Sequence, residues 1–319
     1  MQLNVNQKFE NIAVAVRQIT RKTDQNNKNY YHLQVSIGLK NYDSKIWNDD
    51  EKIGEEIIPG CLAYISGIAR DFKGSLQLHI SNIQRIWNPS QELLNSILPS
   101  GYVNENDMVL EINNIISTIS NPFIKTLLEN IFAMPDVKKH FYKKAAGAEI
   151  HHAYQGGLAQ HTIEVVKLIQ SYCKIFSYIK YDIAVAAALL HDIGKIYELS
   201  SFPENKYTTK GRLLGHISLG ADLVSRAISE IKDFPNDLKY DLIHCILSHH
   251  GTLDMGSPVL PMTIEAIAVH NADKASAEIN AFHLAIERDT GLDGWTEYNP
   301  TYRRSIKNKK LPPLGVLLL

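Results

Sequence analysis

Five histidines and two aspartates are potential metal ligands, although their spacing alone is not diagnostic: His161, the adjacent pair His191-Asp192, His216, the pair His249-His250, and Asp273. They offer nitrogen and oxygen donors without sulfur. Such a set suits manganese, iron, magnesium or zinc in an open catalytic site better than a closed structural zinc. Nine of the 13 histidines fall between His151 and His270, an enrichment that solvated helix faces do not favour.

His191 and Asp192 follow the run Ala186-Ala187-Ala188-Leu189-Leu190, which is apolar on every side, the pattern of a helix buried all round. An imidazole and a carboxylate buried there without compensation would cost on the order of 2–7 kcal/mol for a neutral group and more for an ion. A divalent cation supplies that compensation. The simpler reading has the two residues cap the helix and bond to each other. Lys195, one helical turn past His191, has two readings as well: a point charge for a phosphate oxygen, or a solvated lysine at a helix end, where the macrodipole favours a cation.

The elements that must hold these residues occupy the second part of the chain. His161 shares a stripe with Val165 and Leu168 in a helix expected to begin near His161. Further helices are expected over Asp182–Gly194, His216–Ile231, Tyr240–His250 and about Met262–Arg288. His151 and His152 read as surface or supporting residues, His244 and His270 lie off the ligand register, and Arg212 is set by charge near the nucleic-acid backbone. The apolar end, Leu311 to Leu319, is too short to cross a membrane and packs on the helical domain or on a neighbouring copy in a homo-oligomer.

Ahead of these helices the pattern has period two. Ile12, Val14 and Val16 alternate with smaller or polar residues; Tyr31, Leu33, Val35, Ile37 and Leu39 repeat the alternation, as do Leu76, Leu78 and Ile80. A short strand is expected over Ser44–Trp47 and a hairpin at Lys73-Gly74-Ser75 joins Cys61–Arg70 to Ser75–Ile86. Five strands with a helix-capable insert resemble an OB-fold, whose second and third strands take single-stranded nucleic acid. On that face Tyr30, His32, Trp47 and Lys73, with Phe72, Lys45 and Arg70 beside them, are the candidate contacts; incidental surface or core roles are the alternative for each. The resulting division is a barrel over 1–88, a linker over 89–105 and a helical domain over 106–319. The class is multidomain α+β: an OB-like β-barrel, then an all-α bundle.

Composition excludes little but is consistent. The 319 residues include 33 basic and 34 acidic side chains, so nucleic-acid contact must come from a local patch. Three scattered cysteines argue against a disulfide framework and a thiolate zinc site. The first residues lack the basic and apolar regions of a signal peptide, and no apolar run is long enough for a bilayer; a cytoplasmic protein is expected.

The ordered motifs Gly-Gly-Leu-Ala-Gln-His161-Thr, Leu-Leu-His191-Asp192-Ile-Gly-Lys195, Gly-His216, Ser-His249-His250-Gly and Ala-Asp273-Lys together resemble the HD-domain phosphohydrolase superfamily over about 149–277. Barrel plus HD region resembles the YhaM family of 3′→5′ exoribonucleases. The resemblance implies an all-helical catalytic domain, a divalent-metal requirement with manganese favoured over magnesium or iron, and release of nucleoside 5′-monophosphates from a 3′ end. It implies His161, His191, Asp192 and Asp273 as ligands of a first metal, with Asp192 bridging to a second held by His216 and His249. His250 corresponds to a ligand used when a third metal is present. The glutamate of that third site belongs four residues before His161, where this chain has Gly157, so two metals are expected. Two cations activate water and stabilise both oxygens of an in-line displacement, which makes Asp192 and Lys195 the catalytic candidates.

The leading expectation is therefore a two-metal 3′→5′ exonuclease on single-stranded RNA, with single-stranded DNA as a second substrate. A linked barrel raises effective concentration at the site. One alternative is a phosphohydrolase of small nucleotides or cyclic dinucleotides, although Ser-His-His-Gly continues as Thr252-Leu253-Asp254 and not as the HD-GYP signature. The other is a single-strand-binding protein with an idle HD domain.

Overall fold

The computed structural model describes residues 3–38, 40–48, 50–72, 74–97, 104–147, 152, 154–201, 205–288, 294–296, 298–299 and 302–307. Lys73, His151 and the apolar tail from Leu311 lie outside them.

Alternating β-branched residues give five strands: β1 (Lys8–Thr23), β2 (Asn29–Ile37), β3 (Lys40–Ile46), β4 (Leu62–Phe72) and β5 (Ser75–Ile86), with α1 (Glu51–Glu56) between β3 and β4. They close into a barrel in the order β1-β2-β3-β5-β4. The long β1 pairs with β2 along one part and with β4 along another, with a register shift in each pairing; β3 and β5 run parallel. This is the OB arrangement. Val14, Val16, Leu33, Val35, Ile65 and Leu78 are fully buried inside it, each contributing roughly 1.5–3 kcal/mol through burial.

β3 starts four residues earlier than its hydrophobic signal suggests. Ser44 and Tyr42 face inward there, and the Ser44 hydroxyl donates to the Tyr42 carbonyl, so a polar residue is satisfied inside the core. The outward set is Tyr30 and His32 on β2 with Lys45 on β3. Register pairs His32 with Lys45.

After α2 (Gln91–Ile97) come α3 (Glu105–Ser117), α4 (Pro122–Ala133), α5 (Pro135–His140), α6 (Gly157–Ile175), α7 (Tyr181–Leu190), α8 (Lys195–Glu198), α9 (Thr209–Ser229), α10 (Asn236–Ser248) and α11 (Ile264–Arg288), with a 3-10 turn at Leu253–Met255. By packing, the chain forms two compact units, Met1–Pro99 with Phe282–Leu319, and Ser100–Ala281. α7 is the centre of the helical core, buried without interruption from Ile183 to Leu190, as its all-round apolar sequence requires. Asn121 caps α4 by accepting from Phe123 and Ile124, with Pro122 in the first turn.

Three helices differ from the sequence expectation at their starts, and one of them, α10, begins at Asn236 where Tyr240 was expected. α6 begins at Gly157, one turn before His161, because Gly156 adopts a left-handed conformation that launches it. α9 begins at Thr209, capped by the Thr208 hydroxyl accepting from Gly211, and breaks at Gly215 (φ 68°, ψ 154°). His216 therefore opens a fresh helical segment. Among the described residues no helix is long and apolar enough to cross a membrane, and the three cysteines are free thiols.

Candidate metal centre

The buried helix α7 delivers His191 as its C-terminal cap and Asp192 in the turn that follows. α6 supplies His161, the restarted α9 supplies His216, the end of α10 supplies His249 and His250, and α11 supplies Asp273. Five segments far apart in sequence thus meet within one unit. His161, His191 and His249 are fully buried, and Asp192 is 1% exposed.

Two groups of donors form. His161, His191 and Asp273 make one; His216, His249 and His250 make the other, and in each the ligand-capable atoms lie within 4.8 Å of one another. Asp192 stands between them with its oxygens divided. Oδ2 is 3.5 Å from His161 Nε2 and 3.4 Å from His191 Nε2, whereas Oδ1 is 3.4 Å from His216 Nε2 and 3.6 Å from His249 Nε2. Asp273 Oδ1 is 3.1 Å from His161 Nε2 and 3.9 Å from His191 Nε2.

The second nitrogen of every ring fixes its tautomer. Nδ1–H of His191 donates to the Ala188 carbonyl, of His249 to the Ile246 carbonyl and of His250 to the Met255 carbonyl, at 2.7–2.8 Å. His216 Nδ1 donates to Glu198 Oε1 at 2.9 Å. His161 Nδ1 meets the Ser276 hydroxyl at 3.0 Å, and because that hydroxyl spends its proton on Glu164 Oε2, the ring must be the donor. All five rings, when neutral, therefore turn an Nε2 lone pair toward the centre. His161 Nε2 and His191 Nε2 face each other at 3.2 Å, a repulsive contact between two lone pairs unless a proton or a metal ion lies with them. Among the described residues no hydrogen bond reaches buried His216 Nε2, His249 Nε2 or Asp192 Oδ1. Buried polar atoms left this way cost about 1–3 kcal/mol each, and a divalent metal ion satisfies them. The donor set fits one.

Electrostatics point the same way for three of the rings, whereas at His191 burial is outweighed by the neighbouring Asp192 carboxylate, which raises that imidazole. Burial pushes the His161 imidazole down to about 4 and lowers His249 and His250 as well, so these rings present neutral donors. Burial alone would raise the Asp192 carboxyl; the Lys195 ammonium and the His191 ring outweigh it and hold Asp192 well below the carboxylate range. Lys195 is 6% exposed with Nζ 2.7 Å from Asp192 Oδ2. It is not the solvated helix-end lysine that spacing alone allows.

Sequence reading did not single out Glu164, Ser276 or Glu198, although Glu164 lies three residues past His161 and Ser276 three past Asp273, a spacing that shares a helix face. His152, buried, adds its Nε2–H to Glu164 at 3.0 Å. His270 donates to the His249 carbonyl and His244 accepts from the Met262 amide, so both brace helix ends. Arg212 is exposed. A Cβ at Gly157 would lie 2.0 Å from the His152 carbonyl oxygen, so a side chain there would force the backbone to move.

On the barrel, Tyr30 and Trp47 have ring centroids 4.9 Å apart. Lys45 Nζ lies 5.5 Å from the Tyr30 centroid, 5.8 Å from Trp47 and 5.3 Å from Phe72. His32 is bonded to Asp43, which also accepts from Gln77.

A helical unit that brings histidines and aspartates from five segments around one buried His-Asp pair defines the class: residues 158–278 match the HD domain family. Along nine-tenths of its length the chain is similar to proteins named YhaM. It is 28% identical over 298 residues to the 3′-5′ exoribonuclease YhaM of Shouchella clausii (strain KSM-K16), covering 91% of this chain and 92% of that protein. It is 28% identical over 303 residues to the 3′-5′ exoribonuclease YhaM of Bacillus subtilis (strain 168), covering 91% and 94%. Among solved structures, the mitochondrial single-stranded DNA binding protein Rim1 of S. cerevisiae aligns at 18% identity with a TM-score of 0.23, over 26% of this chain and 98% of Rim1.

Proposed function

We propose that this chain is a 3′→5′ exonuclease that hydrolyses single-stranded RNA, and secondarily single-stranded DNA, to nucleoside 5′-monophosphates with two divalent ions, Mn²⁺ first among them. The division of Asp192 between two histidine groups is the observation that carries this reading, since one carboxylate serving both groups is what a binuclear centre requires. Similarity to proteins named 3′-5′ exoribonuclease over nine-tenths of the chain supports the substrate and polarity. The close backbone approach at Gly157, which leaves no room for a side chain unless the backbone moves, supports two ions over three.

Divalent cations bound there would acidify a water, neutralise the phosphodiester and stabilise the attacking and leaving oxygens. His161, His191, His216, His249 and Asp273 serve as donors, with His250 adjoining the second group. Lys195 keeps Asp192 ionised and supplies positive charge for a non-bridging phosphate oxygen. Water's oxygen joins phosphorus, the 3′-oxygen of the preceding nucleotide leaves with a proton, and one nucleotide is released. Tyr30 and Trp47, with Lys45 above both, act as a stacking platform that tolerates any base; the imidazole of His32 is held by Asp43 behind it.

The test uses metal-stripped protein with 5′-labelled single-stranded RNA and matched DNA, with and without Mn²⁺, products being resolved by length. A Mn²⁺-dependent ladder shortening from the 3′ end is expected. Turnover of mononucleotides or cyclic dinucleotides alone, or binding without shortening, overturns the proposal.

A further inference from the structure

Histidine ligands are tuned by whatever holds their other nitrogen, and here the holding groups divide in a regular way. His191 and His249 are anchored by carbonyls of their own helical turns, Ala188 and Ile246. Such anchors are local and come with the helix. His216 and His161 are anchored by side chains from elsewhere: Glu198 directly, and Glu164 through the Ser276 hydroxyl. The first group therefore contains one ring fixed by backbone and one fixed through Ser276 by a carboxylate, and the second contains two rings fixed by backbone carbonyls, His249 and His250, and one fixed directly by a carboxylate.

Glu198 does more than orient a ring. Its Oε1 also accepts the His216 backbone N–H at 3.0 Å, pinning the residue that restarts α9 after the break at Gly215. Glu198 is 7% exposed, so its bonds to His216 are largely shielded from solvent. Glu164 accepts from Ser276 at 2.7 Å, from His152 at 3.0 Å and from Gln160 at 2.9 Å, which leaves Ser276 no free choice of acceptor.

We propose that Glu198 and Glu164 are positioning residues, Glu198 for the His216–His249 half of the centre and Glu164, acting through Ser276, for the His161–His191 half, so that each governs the occupancy of one metal ion independently of the other. This rests on reading those histidines as ligands.

The experiment titrates metal-stripped protein with Mn²⁺ by calorimetry and counts retained ions by elemental analysis, with thermal melting of the metal-free form as the fold control. Wild type is expected to bind two ions. Glu198→Ala should keep one at wild-type affinity and weaken the other by about 10–100-fold; Ser276→Ala should do the same to the opposite ion. In a double-mutant cycle the two changes should add, whereas Glu198→Ala should cost little in a His249→Ala background that has already lost that half. Glu198→Gln, whose amide oxygen can still accept both His216 N–H groups, should recover much of the affinity, and it replaces Glu198→Ala should that variant fail to fold. Unchanged affinity for both ions in Glu198→Ala and Ser276→Ala, or equal weakening of both ions by each, overturns the proposal. A wild-type chain that binds no divalent ion overturns the ligand reading beneath it; one that binds two ions yet shortens no RNA overturns only the nuclease reading.

Discussion

The candidate metal centre and the barrel face use polar and aromatic groups in opposite ways. In the centre every histidine donor is fixed twice, once by the element that carries it and once by a bond to its Nδ1, and His161, His191, Asp192 and His249 are buried. On the barrel, Trp47 is 37% and Phe72 49% exposed, and Lys45 sits at more than 5 Å from each of three rings without a single geometry being enforced. Chemistry at phosphorus needs atoms held to fractions of an ångström; holding a strand of any sequence needs aromatic faces and charge that can adjust. A single change should therefore be nearly fatal in one region and graded in the other.

The largest effect is expected from Asp192→Asn. It removes the charge shared by both histidine groups, and activity should fall by about 10²–10³-fold or more, with Mn²⁺ retained per chain falling in the same elemental assay. Activity within a few-fold of wild type would end the comparison and place the hydrolysis outside this centre.

Next comes Gly194→Ala. Gly194 has ordinary helical angles (φ −65°, ψ −18°), so glycine is there for space and not for conformation. A Cβ would lie 2.0 Å from the His216 carbonyl oxygen and 2.6 Å from the Gly220 nitrogen. Backbone must move, and we expect a loss of about 1–3 kcal/mol in denaturant unfolding together with weaker Mn²⁺ binding, because the displaced residue is His216. A variant with wild-type stability and metal affinity would mean that this close approach does not set the ligand geometry.

The barrel should give the smallest effects. Trp47→Ala should weaken binding of a labelled single-stranded oligonucleotide by about 1–3 kcal/mol, the value of one stacked base. Lys45→Ala should reduce the slope of log affinity against log salt by about 0.7 for one lost phosphate contact. Anisotropy titrations at several salt concentrations read both, and hydrolysis of a dinucleotide should not change. An equal loss on long and short substrates would place these residues outside strand capture.

Much of the architecture was legible because it is local. Alternation at Val14–Val16 and Leu33–Val35 marks strands, the unbroken apolar run before His191 marks a helix buried on all sides, and the ordered histidine motifs mark the HD region. The start of β3 was illegible because Ser44 satisfies its hydroxyl on a carbonyl two residues away, an economy that hydrophobicity does not register. Lys195 had two readings until its neighbour was visible at 2.7 Å.

By itself the sequence determined which residues could act as nitrogen and oxygen donors and which helices they lie on or beside. Only the tertiary structure decided how they are shared: that Asp192 faces one histidine group with each oxygen, that Glu198 and the Glu164–Ser276 pair stand behind His216 and His161, and that Gly194 is small because another backbone passes against it. These contacts join positions separated by 18 residues for Glu198 and His216 and by 115 for His161 and Ser276. Periodicity reports which face of an element is buried; it carries no information about which distant side chain lies opposite.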